Sequence, residues 1–423
     1  MVKSWKKDLA LFLGGQTISI FGSMLVQYAI MWHITLTAKS GSVQTLYIIC
    51  GILPTFFVSP FAGVWADRWD RKKIIILSDS MIAITTLILA IVFLAKEGSL
   101  PLLFAASVLR AVGQGIQTPA VSAFLPQIVP QEALTKANAA STTIQSVIML
   151  VSPMASGALL TFASIEAIFF IDVATAVIAI SILLFFLKVA PHARATQKLE
   201  VSYFHDLKQG FAYIGNHAYV KSFFIFCALF YFFATPIAFL TPLQVVRSFG
   251  DDVWRLTAIE IVFSVGMMGG GLLMGTWGGF SNRVRTMALS SFLMGILTLA
   301  LGLVPIFWIY LGIMGLTGIS MPMFNTPAIV LLQEKVETAF MGRVFGVMGM
   351  ISSIMMPLGM LVFGPMADRV KIEWLLVGSG AVIALLGFFL AWNRDLVAAG
   401  QASQATHAPQ AAPASENQTG GNT

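Results

Sequence analysis

Charge is what this chain has least of. Only 10% of its 423 residues are Asp, Glu, Lys or Arg, against roughly a quarter in an ordinary soluble domain, and 57% are hydrophobic. A mean hydropathy of +0.85 leaves more apolar surface than one water-soluble core can hide. The scarcity of charge therefore excludes a soluble globular protein. Cysteine is almost absent as well: Cys50 and Cys227 both fall inside apolar stretches, where a thiol behaves as a small hydrophobe. That excludes a disulfide framework and a cysteine-built metal site. The chain has no nucleotide-binding glycine loop, no metalloprotease His spacing and no nucleophile elbow. Neither cofactor nor metal is expected. The net charge of +6 is explained by loop topology, so nucleic acid is not an expected partner.

Apolar length is what the chain does have. A hydrocarbon core about 30 Å thick needs roughly 20 apolar residues per helix, and twelve such segments can be placed. They run over 9–36, 43–65, 74–95, 101–122, 138–162 and 167–188, then 220–246, 256–278, 287–305, 307–330, 344–366 and 374–392. The first follows Lys3, Lys6 and Lys7 without a small-residue cleavage site, so it is expected to be retained. Loops on the N-terminal side carry 18 basic residues and those on the other side 6, which places both termini in the cytoplasm. The expected organisation is an N-terminal six-helix bundle (1–188), a cytoplasmic connecting loop (189–219), a C-terminal six-helix bundle (220–392) and a disordered cytoplasmic tail (393–423).

The two bundles echo one another. Gln117-Thr118-Pro119-Ala120 returns as Asn325-Thr326-Pro327-Ala328, an offset of 208, in spans 4 and 10. Val151-Ser152-Pro153-Met154 in span 5 is answered by Met355-Met356-Pro357-Leu358 in span 11. The densest charge cluster, from Gly63 to Lys73, has a degraded counterpart: aligning Gly63 with Gly275 sets Asp67 against Gly279 and Arg71 against Arg283. The fold class is accordingly an all-α membrane protein of twelve transmembrane helices in two pseudo-symmetric six-helix bundles.

Gly63-x-x-x-Asp67-Arg68-x-x-Arg71-Lys72 resembles the loop signature between helices 2 and 3 of the major facilitator superfamily. Phe21-Gly22-Ser23 through Gln27, and Gly342-Arg343-Val344-Phe345 before span 11, resemble its drug/proton antiporter branch, which contains the bacterial macrolide-efflux proteins. Arg110 stands where that branch has its helix-4 arginine, although Ala111-Val112-Gly113 departs from the usual sequel. The resemblance implies a secondary transporter of the bacterial inner membrane. It would export hydrophobic, macrolide-like antimicrobials by proton antiport, with the drug, protons and membrane lipid as partners and a functional monomer. Export of another compound, such as tetracycline or a siderophore, stays open on sequence. A lipid enzyme would need paired acids at one depth, and a non-transporting receptor would not need a repeat with a charged turn.

Within this picture the residues sort into three groups. Gly63, Asp67, Arg68, Arg71 and Arg343 form a candidate gating latch, because a carboxylate at the end of span 2 favours the positive N-terminus of span 11. Topology anchoring alone explains Lys72 and Lys73. Arg110, Asp79, Asp172 and Glu260 are ionisable groups inside spans, costly unless paired or hydrated, and are candidates for proton coupling. Gln16, Gln27, Tyr28, Trp32, Tyr231, Thr235 and Asn325 are candidates for the substrate cavity, with interhelix hydrogen bonding and interfacial belts as their plainer roles. Among the prolines inside spans, Pro54, Pro119, Pro153, Pro236, Pro242, Pro327 and Pro357 are candidate kinks.

Overall fold

A polypeptide in hydrocarbon must satisfy its own backbone, and a helix does so within one segment. The computed structural model describes residues 5–95, 98–187, 203–337 and 340–400, and it contains twelve helices long and apolar enough to cross a membrane. The first half comprises α1 (Trp5–Ala38), α2 (Gly41–Arg68), α3 (Arg71–Ala95), α4 (Leu100–Ile128), α5 (Leu134–Phe162) and α6 (Ile165–Ser181), the last extended by a π turn at Ile182–Phe186. A short helix, α7 (Tyr203–Asn216), precedes the second half: α8 (Ala218–Phe233), a π turn at Pro236–Leu240, α9 (Thr241–Ser248), α10 (Val253–Trp277), α11 (Arg283–Leu303), α12 (Phe307–Lys335), α13 (Met341–Ala367) and α14 (Ile372–Trp392). Helix α15 (Arg394–Ala399) ends the described chain. Together α8 and α9 make one span.

Two expectations are corrected. The connection expected over 189–219 contains α7, which buries Gly210, Tyr213 and Ile214 at helical spacing. Gly210 meets the Arg343 carbonyl of α13, and the Tyr213 ring stacks on Phe340 at 4.9 Å. The tail expected to be disordered from residue 393 begins instead with α15. Asn393 caps it by accepting from the Leu396 amide, and Asn282 at the start of α11 donates to the Val397 carbonyl. Local capping and docking on α11 thus outweigh a composition without apolar periodicity. Residues 401–423 lie outside the described residues.

Most of the prolines do not interrupt their helices. α2, α4, α5, α12 and α13 run through Pro54, Pro119, Pro153, Pro327 and Pro357. Only at Pro236 does the hydrogen-bond pattern change, where the π turn divides α8 from α9. Glycine sets the closest packing in the second half: Gly266 and Gly270 of α10 lie against the backbone of Gly315, Gly318 and Ile319 of α12, so any side chain there would collide. Gly271 and Gly275, from the same run, face open space.

The halves meet chiefly along two helix pairs. α2 touches α13 where Gly41 abuts Gly364 and Thr45 donates to the Met360 carbonyl, and α5 touches α10 where Gly157 abuts Thr257. All these contacts lie at the end of the bundle opposite the N-terminus.

Candidate functional site

Toward the end that carries the N-terminus the halves part, and a cavity of about 770 Å³ opens between them. Its floor and walls come from α1, α2, α3, α4 and α13, with Phe239 of the π turn at one side. The lining is largely aliphatic and aromatic, interrupted by Ser23, Gln27, Thr55, Gln114 and Ser353. Arg110 is the only charged residue among those that line it. On α13 the wall combines Gly346 and Gly349, which present no side chain, with Met350 and Ser353. Beyond the cavity, Thr118 and Ser122 of α4 and Asn138, Thr142 and Ser146 of α5 are exposed, the polar surface expected of a water-filled approach.

Behind the cavity wall, α1, α3 and α4 each contribute one residue to each of two buried polar layers. In the layer nearer the middle of the bundle, the Arg110 guanidinium lies 2.6 Å from Asp172 of α6, whose side chain is 1% exposed. Thr86 donates to the same carboxylate oxygen at 2.9 Å and Ser23 to the other at 3.3 Å, while Arg110 also contacts the Thr86 hydroxyl and donates to the Ser23 carbonyl. Charge is balanced there, and every oxygen of the acid has a partner. In the second layer Asp79 of α3 accepts from Gln117 of α4 at 2.5 Å and from Ser19 of α1 at 3.4 Å, both at the same oxygen. Seven residues separate Asp79 from Thr86 and Gln117 from Arg110, so the layers sit about 10 Å apart, two helical turns, on shared faces.

The far end is sealed by charge. The Asp368 carboxylate, just past the last turn of α13, accepts from the Gly41 amide at 2.7 Å, the Ser42 amide at 2.9 Å and the Ser40 hydroxyl at 2.9 Å. It thereby caps the N-terminus of α2 in the opposite half. Arg247 of α9 bridges the same acid at 3.1 Å and donates to the Lys39 carbonyl, and Lys39 pairs with Asp251 at 2.8 Å. Partial burial by itself would raise the Asp368 carboxyl, but the hydrogen bonds from Ser42, Gly41 and Ser40 outweigh it and hold it at about 2.

The candidate residues of the sequence distribute unevenly over these features. Among the cavity candidates Gln27 lines the cavity, whereas Gln16, Tyr28, Trp32, Tyr231, Thr235 and Asn325 do not. Trp32 is wholly buried with its ring 5.5 Å from Tyr28, and Thr235 is buried with its hydroxyl bonded to the Tyr231 and Met356 carbonyls. Their burial is packing between helices. Gln16 is buried on α1 one turn from Ser19, and Asn325 is half-buried on α12. Of the ionisable candidates, Arg110, Asp172 and Asp79 come together in the two layers, while Glu260 stands apart on α10, half-buried and within electrostatic reach of Tyr28.

The candidate latch residues lie on α2, α3 and α13. Gly63 is half-buried on α2 and Arg68 is exposed, and the Asp67 side chain lies outside the described residues. Arg71 is buried and donates to the carbonyls of Ala66 and Ala123, tying the ends of α2, α3 and α4 within one half. Arg343, at the start of α13, lies over the Phe340 ring at 5.5 Å.

Sequence reasoning missed Ser23, Thr86, Gln114, Arg247 and Asp368. Ser19 and Ser23 at four-residue spacing, and Asp79 and Thr86 at seven, were a readable sign of one polar helix face. Nothing in the sequence marked Asp368 as the cap of a helix 326 residues away.

This arrangement is a cavity between two bundles, sealed at one end and open at the other, and comparison with known proteins agrees with it. Residues 9–360 match the model of the Major Facilitator Superfamily. The chain is 31% identical over 385 residues to Macrolide efflux protein A of Streptococcus pyogenes, covering 90% of this chain and 95% of that one. It is 33% identical over 323 residues to Macrolide efflux protein A of Enterococcus faecalis, covering 76% of this chain and all of that one. Among solved structures, a bacterial homologue of the iron transporter ferroportin in an inward-facing state superposes with a TM-score of 0.67 at 14% identity, covering 92% of this chain and 100% of that one. The chain belongs to the major facilitator superfamily, a multi-pass membrane transporter and not an enzyme.

Proposed function

We propose that this transporter exports hydrophobic, macrolide-like antimicrobials across the bacterial cytoplasmic membrane in exchange for protons, by alternating access between its two bundles. The observation that carries the reading is the cavity of about 770 Å³ with a mostly apolar wall and a few scattered polar groups. Such a pocket takes large greasy ligands by burial and tolerates varied shapes. The names of the relatives quoted above support the same substrate class. With both termini in the cytoplasm, the orientation that the excess of basic residues in the loops on that side supports, the cavity opens inward and the Asp368 seal faces outward. That is the state in which an exporter loads. Substrate entering beside Arg110 meets a guanidinium already held by Asp172, so its oxygens compete with a carboxylate for the same donors.

One proton entering down 100 mV releases about 2.3 kcal/mol, enough for an outward gradient near fifty-fold. Both the latch at Asp67 and Arg71 and the exchange itself belong to this proposal, as does function as a monomer. The test is drug-susceptibility profiling of a pump-deficient bacterium with and without the chain. Expression raises tolerance to macrolides several-fold, and Asp67→Asn removes most of the gain. Equal sensitivity with well-expressed wild-type protein refutes macrolide export.

A further inference from the structure

Two buried polar atoms are orphans, one on Asp79 and one a turn from Ser19 on α1. Asp79 is 2% exposed, and both of its hydrogen bonds fall on Oδ1, leaving Oδ2 without a partner. Gln16, on the face of α1 that carries Ser19, is 5% exposed with its Nε2 equally unpartnered. No cation lies within ion-pair distance of Asp79 among the described residues. The charges that face it along the packed helices are Arg71 two turns down α3, already committed to two carbonyls, and the Arg110–Asp172 pair two turns up. Ser19 and Gln117 are its neutral neighbours on α1 and α4.

The two acids therefore differ in kind. Asp172 is neutralised by a guanidinium and uses both oxygens, so it has no place for a proton without losing an ion pair. An anionic Asp79 in the bilayer interior would be an uncompensated charge, a state costing several kcal/mol. Neutralising it needs one positive charge at Oδ2. Asp79 stands one turn from Ile82 and Gln117 one turn from Gln114, both of which line the cavity, so the layer lies immediately behind the cavity wall. Asp172 is within electrostatic reach of Asp79, so anything that draws Arg110 toward the cavity changes the field at Oδ2.

From this geometry we infer that Asp79 is the proton-carrying site of the exchange, with Gln16, Ser19 and Gln117 as its cradle and Arg110–Asp172 as a fixed sensor beside it. The inference rests on the proposed proton antiport and selects one acid from the ionisable candidates. The step is proton transfer alone. An O–H bond forms at Asp79 Oδ2 as hydronium on the proton-rich side gives up its proton, and it breaks when water on the other side accepts that proton; no electrons move. Glu260 is not required for it.

The experiment uses the full chain in liposomes with labelled erythromycin, comparing wild type, Asp79→Asn and Asp79→Glu. Asn keeps the shape and both hydrogen-bond partners but cannot carry the proton. Expected are erythromycin exchange at equal concentrations within about twofold of wild type, at least tenfold loss of accumulation driven by a proton gradient, and partial recovery of that accumulation in Asp79→Glu. Infrared difference spectra between acid and alkaline pH are expected to show a carboxylic-acid carbonyl band in wild type that is missing in Asp79→Asn. Undiminished driven accumulation in Asp79→Asn, or a band that survives the substitution, overturns the assignment. So does accumulation that follows a sodium gradient in place of a proton gradient, which would make the same oxygen a sodium ligand. If wild type itself fails to exchange erythromycin, macrolide transport is what falls, and the infrared band still decides for or against Asp79.

Discussion

The two bundles are copies of one plan, yet among the described residues only the first carries a buried ion pair inside the membrane. Under the alignment that sets Gly63 against Gly275, Asp79 falls on Ser291 and Thr86 on Thr298; under the offset of 208, Gln117 falls on Asn325 and Arg110 on Gly318. Ser291 is fully buried with no partner for its hydroxyl, Thr298 bonds back to the Met294 carbonyl of its own helix, and Gly318 is pressed against the Phe263 carbonyl of α10. Where the first half places a guanidinium on a cavity wall, the second places a glycine that lets two helices touch. Duplication supplied the scaffold, and divergence made one copy reactive and the other a close-packed counterweight. Phe230 stacks on Phe324 at 4.1 Å in the second core. The second half keeps its functional charge at the rim, in Arg247 and Asp368.

Four variants probe that division, from the largest single-site effect to the smallest. Arg110→Ala strands Asp172 as a buried charge and should cost about 3 to 5 kcal/mol of stability with loss of export; it is read as a fall in the midpoint of thermal unfolding in detergent and as restored drug sensitivity. Replacing the pair together, Arg110→Met with Asp172→Leu, should return most of the stability and none of the export. A double variant that still exports would remove ionised chemistry from the first half's role. In the second half Gly318→Val adds bulk where the Phe263 backbone allows none, at about 1 to 3 kcal/mol. Full stability with Val there would show that the second half is not close-packed at this contact.

The smallest effect is expected at the rim. Asp368→Asn weakens the cap on α2 and the bridge to Arg247 at a partly exposed site, by about 0.3 to 1 kcal/mol. Single-molecule distances across the outer ends of α2 and α13 should shift toward the separated state. A carboxyl held down to about 2 contributes stability that is fully present above its unfolded value near 3.9 and is lost only as pH falls through about 2. Outer-gate distances should accordingly not change between pH 5 and 8 in wild type. If they do, titration reaches the rim and is not confined to the first half's interior.

Much of this was readable in the chain. Twelve spans, their order and the repeat follow from apolar length and from short motifs, and the corrections fall on α7 and α15, where an amphipathic face and a capping asparagine act on segments too short or polar to register as spans. The ionisable residues were visible because a charge inside an apolar run is conspicuous. Their partnerships were not. Sequence left Asp79, Asp172 and Glu260 as scattered equals, and helix rotation alone brings two of them into adjacent layers. Trp32 and Thr235 read as cavity groups by polarity and turned out to be packed between helices.

Hydropathy is a sum over neighbours in the chain, so the sequence by itself determined that this protein crosses a membrane twelve times and that its few buried charges need an explanation. The tertiary structure decided which charge is answered and which is not. A guanidinium satisfies a carboxylate only within hydrogen-bond distance, and that distance is set by how α1, α3, α4 and α6 are turned and packed against one another.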